Sequence, residues 1–148
     1  MRCQNPKTGQ AQQIGGDLEI VFSECVPERD ELFSLYHAMG WSDFLKLDAD
    51  AIYLASQNSF FVVCAYAGDK LVGTGRVVSD GVLNAYLCGL GVLLEYRHQG
   101  IAHKLTELLL AHCQEAKLHV QFFCEEHLQP FYERQGFERF AIGMRPKD

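Results

Sequence analysis

Apolar and polar positions alternate through "DLEIVFSEC", where Leu18, Ile20 and Phe22 fall on one side of an extended chain and predict a strand. The period then changes. In "PERDELFSLYHAMGW" Leu32, Leu35, Tyr36 and Met39 recur at helical spacing. Pro27, Glu28, Asp30 and Glu31 suit the start of that helix, and Gly40 can end it. A second helix is predicted within "DADAIYLASQ", with Asp48 as its cap and Ile52, Leu54 and Ala55 turned inward. From Phe60 the texture is apolar and β-branched. "FFVVCAY", "KLVGTGRVV" and "VLNAYLCGLGVL" are separated by "AGDK" and "SDG", which predicts a three-strand antiparallel meander with tight turns.

Helical spacing returns in "IAHKLTELLLAHCQEA": Ile101, Leu105, Leu108, Leu109 and His112 trace one face, with Lys104, Glu107 and Glu115 mostly opposite. Leu118, Val120 and Phe122 alternate in "LHVQFFC", a further strand. "QPFYERQGF" is a short helix with Pro130 in its first turn and Gly136 past its end, and "ERFAIGMR" is expected as a closing strand. The order is β α α β β β α β α β, and the strand–helix–strand passage predicts a parallel pair between 82–93 and 118–124. Residues 1–16, "MRCQNPKTGQAQQIGG", are polar and are expected as a flexible tail, leaving 17–148 as a single domain.

Chain-level quantities narrow the partners. A chain of 148 residues suits one core. A net charge of −6 argues against nucleic acid, whose binding calls for a basic surface, and is compatible with a cationic small substrate. The six cysteines form no CxxC pair, and Cys64, Cys88 and Cys124 sit in apolar runs, which predicts thiols in a reducing compartment and a cytoplasmic location. The histidines lack metal-ligand spacing, so no metal is expected. No apolar run approaches the ~20 residues of a membrane span, and residues 1–16 have neither the apolar core of a signal peptide nor the arginines of a transit peptide.

Gly89 and Gly91 interrupt the interior of the strand at 82–93, a position that often marks a bulge or a close backbone approach. The strand leads into "YRHQGIAHKL", where Gly100 precedes a helix directly. A helix start presents unpaired N–H groups to an anion, Gly100 gives a ligand space, Ala102 keeps the next turn small, and Arg97 can add a charge-assisted contact. The same residues also fit a plain strand-to-helix turn, and the GxGxxG and GxxxxGK[ST] phosphate motifs are absent. Local sequence leaves both readings open.

"RHQGIA" resembles the R/Q-x-x-G-x-G/A motif of the GNAT family of N-acetyltransferases. "GVLLEYRHQGIAHKLTELLLAHC" is similar to the family's strand, pyrophosphate loop and helix, and "FYERQGF" at 131–137 resembles its late F-Y-E-x-x-G-F segment. The resemblance covers about residues 17–146. It implies an α/β GNAT acyl-CoA N-acyltransferase fold: a mixed central sheet of six to seven strands flanked by about four helices. It also implies acetyl-CoA as co-substrate, with the pyrophosphate on the backbone of Arg97, His98, Gln99, Gly100, Ile101 and Ala102 and the pantetheine arm on Leu90, Gly91 and Val92. A bulge in the glycine-bearing strand would splay it from the next strand and seat the thioester between them. Leu94 and Ala102 stand where proline and glycine are common in the family.

The same resemblance implies an acetyl transfer to a primary amine of a small molecule, such as an aryl or alkyl amine, a polyamine or an amino-sugar. The N–H of Val92 would polarise the thioester oxygen, and Tyr132 would be the acid toward the CoA sulfur, although packing beside Phe131 and Phe137 also accounts for it. Cys88 and Gly89 occupy positions where relatives often carry an acid, so the base is open. Glu125 and Glu126 are candidates, acting through water or holding a cationic substrate, and His127 is a further one; solvated loop residues are the plain alternative. Tyr36, Trp41 and Phe44 can form an aromatic wall for the acceptor or simply pack helices onto the sheet, and Cys88 can line the site. A non-catalytic acyl-CoA sensor, or acetylation of a protein or peptide amine, is the alternative function. Homodimers are common in the family, and a dimer is expected.

Overall fold

The computed structural model describes the backbone of residues 10–13 and all of residues 19–148. Six strands form one sheet in chain order: β1 (Gln10–Gln13), β2 (Glu19–Ser23), β3 (Phe61–Ala67), β4 (Lys70–Ser79), β5 (Asn84–Val92) and β6 (His119–Gln121). All neighbours are antiparallel except β5 and β6, which run parallel because α4 (Ile101–Glu115) carries the chain across between them. The meander and the parallel pair are as the sequence predicts. The other helices are α1 (Arg29–Ala38), α2 (Trp41–Leu45), α3 (Ala49–Gln57) and α5 (Gln129–Glu133).

Each turn element has a local cause. Asp48 caps α3 by accepting the Ala51 N–H at 2.8 Å. In the turn before β5, Asp80 Oδ1 accepts the N–H groups of Val82, Leu83 and Asn84, which shapes the loop without backbone pairing. Glycine matters most under α4. A Cβ at Gly75 would lie 2.9 Å from Leu109 Cδ1, and one at Gly73 would lie 3.2 Å from Leu105 Cδ1. Two missing side chains therefore let α4 settle close onto β4, burying Ile101, Leu105 and Leu109 almost completely. Strand alternation sends Arg76 and its neighbours on that face the other way, toward α1, where Leu32, Tyr36 and Ile52 make a second buried cluster.

Four expectations change. Gln10–Gln13 pair with β2 instead of belonging to a tail, while the rest of residues 1–16 lies outside the described residues. Leu54 is exposed, because the inward face of α3 is used up by Ile52 and Ser56. Residues 138–145 form no strand. The β6 ladder stops at Gln121, and the Phe123 ring packs against the Gly143 backbone, so this segment passes β6 across a cavity of about 720 Å³ and finds no straight edge to pair with. Cys25 is disulfide-bonded, where the sequence predicts thiols throughout; Cys64, Cys88, Cys113 and Cys124 are free.

Truncation of the closest-packed helix position should be costly. Leu109→Ala is expected to lower stability by about 2–5 kcal/mol in urea unfolding, whereas Phe44→Ala, at an 82% exposed site, should change it by under about 0.5 kcal/mol.

Candidate active site

The β4–β5 ladder slips between Thr74 and Arg76: Thr74 faces Gly91 while Arg76 faces Cys88. The extra β5 residue is a bulge at Gly89, whose φ of +61° is open to glycine and costly for other residues. Beyond the bulge β5 loses its other partner. Its parallel pairing with β6 covers only Asn84, Ala85 and Tyr86, so the edge from Leu87 to Val92 is open. Leu93 N–H donates to Val72 O on β4 at 2.8 Å. By alternation the N–H and C=O of Val92 point away from β4, into the split. A bulge at a glycine is among the outcomes that the strand's sequence leads one to expect, and its parting from β6 is what the GNAT resemblance implies.

A 3₁₀ turn at Leu94–Tyr96 connects this edge to the loop before α4. His98 has φ +60° and Gly100 φ +82°, two left-handed residues that turn the chain sharply into the helix. Lys104 N–H, bonded to Gly100 O at 3.0 Å, is the first to close a turn of α4, so the N–H groups of Ile101, Ala102 and His103 project from the helix end, and no side chain caps it. A Cβ on Gly100 would meet nothing within 4 Å, which leaves open space over these donors. Arg97 behaves differently from expectation. Its Nε donates to Val92 O at 2.9 Å, and its own N–H is used on Leu94 O, so it braces the loop against β5.

Tyr36 and Trp41 meet edge to face with centroids 5.1 Å apart. The absent side chains of β5 receive them: a Cβ on Gly89 would lie 3.0 Å from Tyr36 Oη, and one on Gly91 would lie 2.7 Å from Trp41 Cη2 and clash with Met39 Sδ. Cys88 is half-buried beside this group. Burial pushes its thiol up and Arg76 only partly offsets it; burial likewise raises the Tyr36 hydroxyl, against the charge and a side-chain hydrogen bond of Arg76, so both groups are neutral near pH 7. Phe44 is not part of the wall. The five-residue α2 lies between left-handed Gly40 and Lys46 and turns Phe44 to solvent.

Sequence reasoning missed Arg76 and Met39. Arg76 was legible as a lone cation inside the apolar run "GTGRVV", yet only the fold of α1 over the bulge shows that it is partly buried.

Tyr132 is half-buried in an aromatic group with Phe122, Phe131 and Phe137, with centroids 4.4, 5.0 and 6.0 Å away. Burial, assisted by nearby Cys124, raises its hydroxyl above the ordinary value, so it stays protonated. Tyr132, Cys124 and Glu126 line the same cavity. Glu125 lies apart and pairs with His127 at 3.2 Å, both side chains largely in solvent. The chain leaving β6 joins the two halves of the site: Phe122 meets Tyr132, and Phe123 stacks on Tyr86 with centroids 6.4 Å apart.

The chain and its fold have counterparts among known proteins. A family model described as an acetyltransferase (GNAT) domain matches residues 28–143. The uncharacterized N-acetyltransferase ycf52 of Pyropia yezoensis is 24% identical over 120 residues, spanning 78% of this chain and 67% of that protein. The chloroplastic GCN5-related N-acetyltransferase 2 of Arabidopsis thaliana is 30% identical over 77 residues; the match spans 51% of this chain and 30% of that protein, well under half its length. A solved GNAT family acetyltransferase of Streptococcus pneumoniae superposes with a TM-score of 0.74 at 29% identity, covering 87% of this chain and 98% of that one.

The bulge glycine is the most exacting position in the site. Gly89→Ala combines a left-handed φ with a Cβ 3.0 Å from Tyr36 Oη, and is expected to cost about 1–3 kcal/mol, read as a lower urea midpoint with an unchanged slope.

Proposed function

Because the chain belongs to the GNAT family of acetyltransferases, we propose that it moves an acetyl group from acetyl-CoA directly to the primary amine of a small molecule. The observation that carries this reading is the open β5 edge, Leu87 to Val92, running straight into a helix end with unpaired N–H groups. An extended pantetheine arm adds to such an edge as a strand would, and a pyrophosphate suits such a helix end. On this reading His98, Gln99, Gly100, Ile101 and Ala102 hold the pyrophosphate through backbone N–H groups, and Leu90, Gly91 and Val92 hold the arm.

The chemistry then follows from position. The amine lone pair attacks the thioester carbonyl carbon, and Val92 N–H receives the charge that develops on oxygen. The carbon–sulfur bond breaks, and Tyr132 gives its proton to the departing sulfur. The raised pKa of its hydroxyl keeps that proton available at neutral pH. The amine must also lose a proton. On this reading Glu126, which lines the cavity with Tyr132, takes it through water, with Glu125 and His127 as further candidates. Cys88 lines the site as a neutral thiol. A second reading, an acyl-CoA sensor without turnover, is favoured by one feature: Cys88 and Gly89 put no carboxylate at the bulge.

Thiol release from acetyl-CoA with a panel of amines separates the two. Turnover is expected on at least one amine; saturable acetyl-CoA binding with no turnover on any would favour the sensor. Tyr132→Phe should lower kcat by about 10²–10⁴ with acetyl-CoA affinity kept, and an unchanged kcat would remove the acid role. Gly100→Trp fills the space over the helix end and should abolish acetyl-CoA binding by calorimetry.

A further inference from the structure

Among the described residues, Arg76 is the cation partly buried in the site, and no acidic side chain pairs with it. Its Nη1 donates to Ser59 Oγ at 3.3 Å, while its Nε is shielded from solvent and, among the described residues, is the buried side-chain nitrogen or oxygen left without a hydrogen-bond partner. Three other basic residues have acid partners: Arg29 pairs with Asp30 and Asp50, Lys70 with Glu95, and Lys104 with Glu107. No ion pair reaches Arg76 among the described residues, although the chain carries 19 acids against 13 basic residues. Its polar neighbours are Tyr36, whose hydroxyl is in hydrogen-bonding contact with the Arg76 side chain, and Cys88; both are neutral for the reasons given above, so neither supplies a negative charge.

An enclosed guanidinium without an anion is unfavourable, and native structures keep such groups where something else completes them. The surroundings say where that partner arrives. Arg76 sits opposite Cys88 at the bulge, beside Gly89, with Nε 3.4 Å from where a Gly89 Cβ would be. The next residues along the same sheet face, Val78 and Tyr86, are paired with each other and partly exposed, and Tyr86 stacks on Phe123. The face is thus covered by Tyr36 on one side of Arg76 and open on the other.

We propose that Arg76 is a specificity-determining residue: the acceptor carries an anionic group, a carboxylate or a phosphate, which the Arg76 guanidinium binds while the rest of the acceptor lies over Val78, Tyr86 and Phe123. This rests on the acetyl-transfer reading above and narrows its substrate class. The acid-rich composition of the whole chain points toward cationic ligands; the enclosed charge at the site reverses that expectation locally.

The test compares matched amines with the full chain and acetyl-CoA: amino acids against the amines that lack the carboxylate, and amino-sugar phosphates against the unphosphorylated amino-sugars. The two series distinguish carboxylate from phosphate. The wild type should favour the anionic member of one series by at least about tenfold in kcat/KM, the effect of a charge-assisted hydrogen bond. Arg76→Gln should erase that preference and Arg76→Lys retain part of it, with acetyl-CoA affinity unchanged in both. Arg76→Gln should also keep or raise the urea midpoint, since it removes an uncompensated charge; a purely structural arginine would lower the midpoint and leave selectivity alone. Equal or better turnover of the neutral members by the wild type would overturn the proposal. If no amine is turned over, the acetyl-transfer reading fails, and calorimetry of the same amines on the CoA-loaded protein decides this one. Binding of an anionic member that Arg76→Gln abolishes supports it; no preference for the anion overturns it.

Discussion

A β-strand cannot leave a long edge unpaired inside a protein without something to complete it, and β5 leaves its edge open from Leu87 to Val92. The rest of the molecule is arranged around that break. Gly89 bends β5, the β6 ladder ends at Gln121, and α1 and α2 bring Tyr36, Met39 and Trp41 onto the gap left by two absent side chains. On the opposite face Gly73 and Gly75 let α4 press close to β4, which holds the helix end level with the open edge. One sheet thus has a dense, closed face under α4 and an interrupted edge beside it.

Much of this was legible in residue pattern, because strong periods reflect strong burial. The α4 stripe from Ile101 to His112, the Asp48 cap, the meander and the parallel β5–β6 pair all follow from local rules that tertiary structure does not overrule here. The bulge was legible too, since two glycines within an apolar strand have few other uses. What escaped was decided at a distance. Gln10–Gln13 carry no apolar alternation, and their pairing is carried by backbone. "ERFAIGMR" alternates well, yet it needs an edge that β6 is too short to offer. Arg76 reads as an ordinary strand cation until α1 folds over it, and Phe44 reads as a wall residue until the left-handed residues around α2 turn it away.

The two tyrosines sit in different environments. Tyr36 sits among helices beside a cation, whereas Tyr132 sits among phenylalanines beside a cavity. Both hydroxyls are held protonated by burial, but only Tyr36 has a positive charge opposing that shift. The same burial thus acts on both hydroxyls, and at Tyr132 no cation stands against it.

The bond from Arg97 Nε to Val92 O joins the loop before α4 to the end of β5. It acts as a strut between the start of α4 and the open edge of β5. On the acetyl-CoA reading proposed above, a ligand that spans both is measured by its length. One whose arm is a few bonds too short or too long meets only one end at a time, whatever group it carries at its tip.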